Sequence, residues 1–331
     1  MLLSQRKTVS VNYSGFWDGF DSTKYRISKI IHDRYDVEIT NRPRYLICSL
    51  FDYHRSVCEE ADVKIFITPE NMIPDFNLFD YCIGFDELSF GDRYLRVPNY
   101  ILNLKYEEAL DRMQNKHLYS IESDRDGFCS YIVSNGNGST MRDIIPDMIS
   151  QYKSVDFGGR YRNNIGRGIG NTCKDKLEFQ KQYKFALAIE NTSHPGYTTE
   201  KLIEAFAAGC IPIYWGDPDV GKYFNTKSFI NVMDYASLDD VVAEIIHIDE
   251  DEELYRQYIS EPALIDKNYI SDTIEELSGF IESIFDQPLS AARRRTSGVW
   301  YSQMHDIAMK GTSGDKKKTG GFVGRIRKRL N

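Results

Sequence analysis

No stretch of 18 apolar residues occurs in this sequence, and the region near the N-terminus offers no apolar run of signal-peptide type. The expectation is a protein made and kept in the cytoplasm. Cysteine is sparse and scattered: Cys48, Cys58, Cys82, Cys129, Cys173 and Cys210 form no CxxC pair and no metal-ligand spacing. Most of them lie in apolar runs such as YLICSLF and GCIPIYW, where a thiol acts as a small hydrophobe. A reducing compartment follows, and a disulfide framework does not. The histidines, His32, His54, His117, His194, His247 and His305, also lack ligand spacing. No internal repeat is present. The main body has little positive charge to spare: the net charge is −8, yet the last sixteen residues carry seven Lys or Arg and no acid. The remainder therefore stands near −15, which argues against nucleic acid as its partner.

Aromatic residues are plentiful at 13%, with 22 tyrosines, and the 331 residues are enough for two domains with separate cores. The first part alternates strand and helix signals. VSVNYSG, YDVEI, RYLICSLF and VKIFIT read as short buried strands, Lys24 to Arg34 as a helix, and Tyr81 to Gly84 as a further strand. Residues 102–127 are polar and carry no convincing strand, so a domain boundary falls near their end. A second series follows: strand FCSYIVSN, a helix from Thr140 to Tyr152 despite Pro146, helix KDKLEFQKQY, strand FALAIEN, helix TEKLIEAFAAG ended by Gly209, then strands CIPIYWG and SFINV. Helices are expected around 237–246, 252–260 and 272–285. Repetition of this kind predicts parallel sheets covered on both faces, and hence an α/β chain of two Rossmann-like domains facing across a cleft. The limits are 1–125, 126–290 and a C-terminal segment, 291–331. In that segment Phe322, Val323, Ile326 and Leu330 would form an apolar stripe against Arg325, Arg327, Lys328 and Arg329. Contact of 315–331 with an anionic membrane and a solvated, frayed end are both open readings.

The densest chemistry lies in ENTSHPGYTTEKLIEAFAAGCIPIYWGDP, residues 190–218. A strand delivers the chain to a polar loop that opens a helix at Thr198 or Thr199. In open α/β sheets ligands bind beyond the carboxyl ends of strands, where helix N-termini aim free N–H groups at anions. Lys201 and Tyr197 stand at that mouth, and a diphosphate is the group such a mouth accepts. On the residues alone a plainer reading is also open, in which a threonine caps the helix, Glu200 complements its dipole and Lys201 is solvated. Two Asp-x-Asp pairs, Asp124 with Asp126 and Asp217 with Asp219, read as turns; the first precedes a strand and the second follows YWG beside a proline. The GRGIG run at 166–170 lacks the strand and ending of a phosphate loop and reads as a loop closing over a ligand, with Arg160 and Arg167 as auxiliary cations.

ENT, then YTTEK, then IPIYWGDP together resemble the donor-binding motif of the α-1,3-fucosyltransferases, glycosyltransferase family ten. Residues 68–100, TPENMIPDFNLFDYCIGFDELSFGDRYLRVPNY, are similar to the segment that carries the catalytic carboxylate of the bacterial members. FGGRYRNNIG at 157–166 and FNTKSFINVMDY extend the likeness over most of residues 63–265. The resemblance implies the two-domain GT-B arrangement, with acceptor binding in 1–125 and GDP-fucose binding in 126–290. Its implied reaction is inverting transfer of L-fucose from GDP-β-L-fucose to a sugar hydroxyl, the 3-OH of N-acetylglucosamine in a lactosamine or Lewis-type glycan. Glu70 falls on the general base, Arg162 and Lys201 on the cations that hold the diphosphate, and Asn191, Tyr197 and Glu200 on residues lining nucleotide and fucose. No cofactor and no divalent metal are implied. Residue types agree with that chemistry: negative charge grows on the leaving phosphate, where cations stabilise it, while a carboxylate takes the acceptor proton. Two other readings keep the same residues: a different nucleotide-sugar donor, or a glycan- or nucleotide-binding module without turnover. The bacterial members place the chain in the cytoplasm or at the inner face of the cytoplasmic membrane.

Overall fold

A computed structural model describes residues 6–116 and 125–296. The basic segment 315–331 and Asp124 lie outside the described residues. Two sheets organise the chain. The first contains β1 (Thr8–Ser14), β2 (Asp36–Ile39), β3 (Tyr45–Ser49), β4 (Val63–Ile67), β5 (Tyr81–Gly84) and β6 (Tyr94–Arg96), all parallel, in the order β2-β1-β3-β4-β5-β6. The second contains β7 (Gly127–Tyr131), β8 (Val155–Phe157), β9 (Tyr183–Ile189), β10 (Ile211–Trp215) and β11 (Ile230–Asn231), again parallel, in the order β11-β10-β9-β7-β8. Each sheet thus begins in its interior, steps to one side for its second strand and then crosses to the other. The strand order reverses between β1 and β3 in the first sheet and between β7 and β9 in the second. Such reversal points leave crevices at the carboxyl ends, where α/β proteins bind ligands.

Burial explains the strands. YLICS in β3, VKIFI in β4 and YCIG in β5 are buried throughout, as parallel strands covered on both faces must be. Lys64 is the exception in type and not in burial: its ammonium reaches the carbonyls of Ser56 at 3.1 Å and Val57 at 2.5 Å, closing the end of the helix Tyr53–Cys58. The edge strands β6 and β8 carry no signal in the sequence, because three residues flanked by polar ones show no periodicity.

The helix Glu107–Gln114 packs on the helix Glu200–Ala207, and Arg112 donates to the Ala207 carbonyl at 3.0 Å, so the halves share a continuous core. The sequence limits of 126–290 cut across the packing at one place. The helix Tyr269–Asp286 lies on the first sheet, not the second: Phe285 stacks on Tyr45 with ring centroids 4.1 Å apart, and Tyr35 donates to Asp286 at 2.9 Å. An amphipathic helix declares that it has an apolar face but not which sheet will cover it. The chain beyond it is then fastened by Asp80, a fully buried carboxylate that accepts from the backbone N–H groups of Arg294 and Arg295 and from the Arg295 guanidinium.

Candidate active site in the cleft

Strand β9 ends at Ile189 and delivers Glu190 with a fully buried side chain. That carboxylate accepts from the Thr199 N–H and hydroxyl, each at 2.8 Å, and from the Lys201 ammonium at 2.9 Å. Thr199 occupies the N-cap position of the helix Glu200–Ala207, yet its side chain caps nothing. Its hydroxyl is drawn to Glu190 and Lys201 instead, so the simple capping reading of this threonine fails. Burial by itself would favour a neutral Lys201, but the carboxylates of Glu190 and Glu200 outweigh it and hold the ammonium protonated. In the same way burial would raise the Glu200 carboxyl, while Lys201 and Lys176 hold it down at about 2. Helix Cys173–Gln180 supplies Lys176, which grips the buried Glu204 at 2.9 and 3.0 Å.

Lys176, Thr199, Glu200, Lys201 and Glu204 line a cavity of about 260 Å³, with Glu190 buried behind Thr199 and Lys201. From the first half come Pro69, Glu70 and Asn99; from the loop after β7 come Ser134 and Asn135, and from the helix Met141–Ile149 that follows it Arg142; from the β9 side come Asn191, Tyr197 and Thr199. The cavity therefore sits at the reversal point of the second sheet, between the carboxyl ends of β7 and β9, with the loop after β4 as its opposite wall. Tyr197 spans it: the buried phenol donates to Glu70 Oε2 at 3.1 Å, and burial followed by the Glu70 charge pushes its pKa up. Glu70 itself is exposed at the mouth.

The loop after β9 is stitched to the first half. Asn71 donates to Thr192 at 2.7 Å, His194 lies 2.8 Å from Asp86, and Arg96 reaches the Gly196 carbonyl at 3.4 Å. His194 is a loop hydrogen-bonder, as its isolated position in the sequence predicts. Gly196 has φ +79, and a Cβ there would stand 2.7 Å from the Phe85 carbonyl, so only glycine permits the approach.

Glu70, Asn191, Tyr197, Glu200 and Lys201, read from the sequence, meet in this cavity. Arg162 does not join them. Its guanidinium pairs with Asp147 at 2.6 Å and Asp143 at 3.6 Å on the helix Met141–Ile149 and covers the Phe157 ring. Arg142 stands in the cavity wall instead, buried, with Nε on the Glu190 carbonyl at 3.2 Å and Nη1 on the Asn135 carbonyl at 3.0 Å. Among the described residues its Nη2 has no partner. Sequence reasoning missed Arg142, Lys176, Glu190 and Glu204; the cue for Arg142 was a lone arginine opening a helix after a strand and the Asn-Gly turn SNGNGS.

Asp217, of the second Asp-x-Asp pair, accepts from the Gly196 N–H, the Thr198 hydroxyl and the Asp219 N–H at 2.8, 2.9 and 2.8 Å. These bonds fold its loop against the loop after β9.

Comparison with known proteins places these features in a family. Residues 11–103 match the α-(1,3)-fucosyltransferase FucT N-terminal domain, and residues 122–263 match the C-terminal part of glycosyltransferase family 10 (fucosyltransferase). An α-(1,3)-fucosyltransferase FucT of Helicobacter pylori is 39% identical over 230 residues, which is 61% of this chain and 47% of that protein. The α-(1,3)-fucosyltransferase 4 of Mus musculus is 34% identical over 136 residues, 40% of this chain and 30% of its own length. A GDP-fucose protein O-fucosyltransferase 3 of Xenopus laevis is 29% identical over 199 residues, covering 56% of this chain and 40% of that protein. The chain thus spans less than half the length of these relatives. A solved α1,3-fucosyltransferase with GDP-fucose superposes with a TM-score of 0.68 at 28% identity, over 84% of this chain and 92% of that one. Two adjoining family matches and a structural likeness that runs through both sheets make the chain a member of glycosyltransferase family 10, the fucosyltransferases.

Proposed function

We propose that this protein transfers L-fucose from GDP-β-L-fucose to a glycan hydroxyl with inversion, the 3-OH of N-acetylglucosamine in a lactosamine-type acceptor, and without a divalent metal. The observation that carries the reading is the cavity itself, in which an exposed carboxylate, Glu70, faces the cations Arg142, Lys176 and Lys201. Transfer from a nucleoside diphosphate needs that opposition. Negative charge develops on the departing phosphate, and preplaced cations stabilise it more in the transition state than in the ground state. The acceptor hydroxyl loses its proton as it attacks, and Glu70 is the base placed to receive it. A single displacement inverts the anomeric centre and asks for no second nucleophilic carboxylate.

In this reading Arg142 takes the place that the sequence assigned to Arg162, with Nη2 directed to the diphosphate. Lys201 is kept charged by Glu190, and Glu200 offers its ionised carboxylate to donor hydroxyls. Arg142, Lys176 and Lys201 are the cations this reading offers the leaving diphosphate in place of a divalent metal. The names of relatives do not agree on an acceptor, one giving only an α-(1,3) bond and another a protein O-fucosyltransferase, so the acceptor rests on the resemblance to the bacterial members.

The test is incubation with GDP-fucose and N-acetyllactosamine, with product mass and linkage determined. A fucosylated product with an α-1,3 bond supports the reading. Thermal stabilisation by UDP in place of GDP would redirect it to another donor, and GDP binding without any product would reduce the protein to a binding module.

A further inference from the structure

Arg96 is the last residue of β6, and its pairing with Gly84 of β5 brings it to the carboxyl end of the first sheet. Its side chain is only 14% exposed, so the guanidinium has given up most of its water and needs partners that replace it. It has four. Nη1 donates to the Tyr269 hydroxyl at 3.0 Å, Nη2 donates to the Gly196 carbonyl at 3.4 Å, and Nε stands 3.2 Å from Glu87 Oε1. The fourth is a ring, that of Tyr223, whose centroid lies 4.2 Å from the guanidinium carbon. These partners also hold one another. The Tyr223 hydroxyl donates to the same Glu87 oxygen at 2.7 Å, the Tyr223 and Tyr269 rings are 4.8 Å apart, and the Tyr269 hydroxyl lies 3.3 Å from that of the buried Tyr100.

The contact with Gly196 is the one that leads to the cavity. Gly196 is held on both its polar atoms: its N–H donates to Asp217 at 2.8 Å, and its carbonyl accepts from Arg96 and from the Thr198 N–H at 2.9 Å. Tyr197 follows directly, and its phenol donates to Glu70 at 3.1 Å. With φ at +79 and no side chain, Gly196 has little of its own to resist a turn of the backbone that would swing this phenol, so the restraint comes from the groups on its polar atoms. A separation of 3.4 Å is long for N–H···O, but the donor is a charged planar fork whose other contacts fix its orientation. Arg96, Tyr223 and Tyr269 also line a second cavity of about 420 Å³ that contains neither Glu70 nor Lys201. A shorter cation at position 96 therefore leaves no sealed void in the core.

We propose that Arg96 is a positioning residue for the transfer step: it fixes the Gly196 carbonyl, hence the Tyr197 phenol, and through that phenol the Glu70 carboxylate. The proposal rests on the reading that Glu70 takes the acceptor proton. Arg96 is not among the residues that line the cavity with Glu70, so it acts only through the loop after β9. Its loss is therefore felt in turnover more than in donor binding, and only while Tyr197 still has a hydroxyl to place. Lysine at this position keeps the charge. A single ammonium cannot hold the Tyr269 hydroxyl and the Gly196 carbonyl in one plane while covering the Tyr223 ring.

The experiment compares Arg96→Lys and Tyr269→Phe with the wild-type protein, each alone and combined with Tyr197→Phe. Arg96→Lys is expected to lower kcat roughly fivefold to tenfold while the donor KM stays within about twofold and GDP still raises the Tm. Tyr269→Phe removes only the hydroxyl that aims the guanidinium and should act the same way on a smaller scale. In the Tyr197→Phe background either change should cost less than about a further twofold, because the bond through which Arg96 acts is already gone. NMR of protein labelled at tyrosine Cζ gives a readout without turnover. The Tyr197 resonance, assigned by its absence from Tyr197→Phe, should move in Arg96→Lys in the direction it takes in Glu70→Gln. Wild-type kcat in Arg96→Lys overturns the proposal, and so do losses that multiply in the double variants. Loss of the GDP shift in both single variants overturns it too, since Arg96 would then hold the fold. If the wild-type protein transfers no sugar, the proposed function fails and the resonance decides alone: movement in Arg96→Lys keeps Arg96 as the residue that places Tyr197, and an unmoved signal removes it.

Discussion

The Tyr197 phenol donates to Glu70 Oε2 over 3.1 Å, joining residues that come from opposite sheets. Tyr197 belongs to the loop after β9, and Glu70 to the loop after β4. A carboxylate exposed at a cleft mouth has many rotamers, and one buried hydroxyl donor selects among them. The same bond makes the proposed base sensitive to how the two halves meet. Tyr197→Phe should keep the fold and lower kcat by roughly tenfold or somewhat more, the worth of a hydrogen bond to a charged group. Glu70→Gln should lower it by roughly 10² to 10⁴ while leaving GDP affinity in place. Steady-state kinetics on both variants check this; a Glu70→Gln enzyme with near-normal turnover would remove Glu70 from its role.

Two arginines separate the sequence reading from the cavity. Arg162 is spent on a partly exposed pair with Asp147 and Asp143, so Arg162→Ala should change stability by about 0.5 kcal/mol or less and leave the KM for the donor alone. Arg142→Lys keeps a charge but loses the planar fork, and should raise the donor KM and lower kcat together. Thermal shift with GDP gives the same comparison without an acceptor. If Arg162→Ala abolishes the GDP shift and Arg142→Lys preserves it, the assignment is reversed.

Glu200 carries a pH signature. Its folded carboxyl is held at about 2, below the unfolded value near 4.3, because Lys201 and Lys176 outweigh the cost of its burial. A depressed acid stabilises the fold above its unfolded pKa and loses that contribution as pH falls toward the folded one. The stability difference between wild type and Glu200→Gln, measured by urea unfolding, should therefore be full at pH 6 and shrink between about pH 4.5 and pH 2. A gap that stays constant across that window would show that Glu200 is not held down in the folded protein.

The contrast between what the sequence announced and what it hid has a physical basis. Strands β3, β4 and β9 were legible because buried parallel strands are written as continuous apolar runs, and the loop before Glu200 because Pro195 and Gly196 punctuate it. Tyr197, Glu200 and Lys201 sit next to one another in the chain, so one motif reveals them together. Arg142 and Lys176, 34 residues apart in sequence, reach the same cavity from two different helices, and nothing local marks either. The placement of the helix Tyr269–Asp286 on the first sheet was hidden for the same reason: its partners Tyr35 and Tyr45 lie more than 200 residues earlier.

That helix and the segment after it depend on Asp80. Its carboxylate has no solvent exposure and accepts from the Lys64 N–H at 2.7 Å, the Arg294 N–H at 2.6 Å, the Arg295 N–H at 2.7 Å and the Arg295 guanidinium. Asp80→Ala leaves the guanidinium without its buried counter-charge and three backbone groups without an acceptor, and should cost about 3–5 kcal/mol. Denaturant unfolding measures the loss. Arg295→Ala, which strands the carboxylate instead, should fall in the same range, and the double variant should cost less than the sum of the two. Strict additivity would mean that the two residues do not act as a pair.

The proposed metal independence turns on Asp217, because an Asp-x-Asp pair beside the proposed nucleotide cavity invites a divalent ion. A metal ligand must offer lone pairs, and of the roughly four that the Asp217 carboxylate carries, those in use serve the Gly196 N–H, the Thr198 hydroxyl and the Asp219 N–H. Its burial also pushes the carboxyl pKa up. The residue is thus placed to shape the loop that presents Tyr197. Asp217→Asn should lower stability by roughly 1–3 kcal/mol, since the neutral amide loses one acceptor and weakens the others. Fucose transfer by the wild-type protein should survive EDTA, and added Mn²⁺ should neither raise it severalfold nor rescue the variant. Abolition of turnover by EDTA with full recovery on Mn²⁺, together with an unchanged Tm in Asp217→Asn, would make Asp217 a ligand and return the metal to the mechanism.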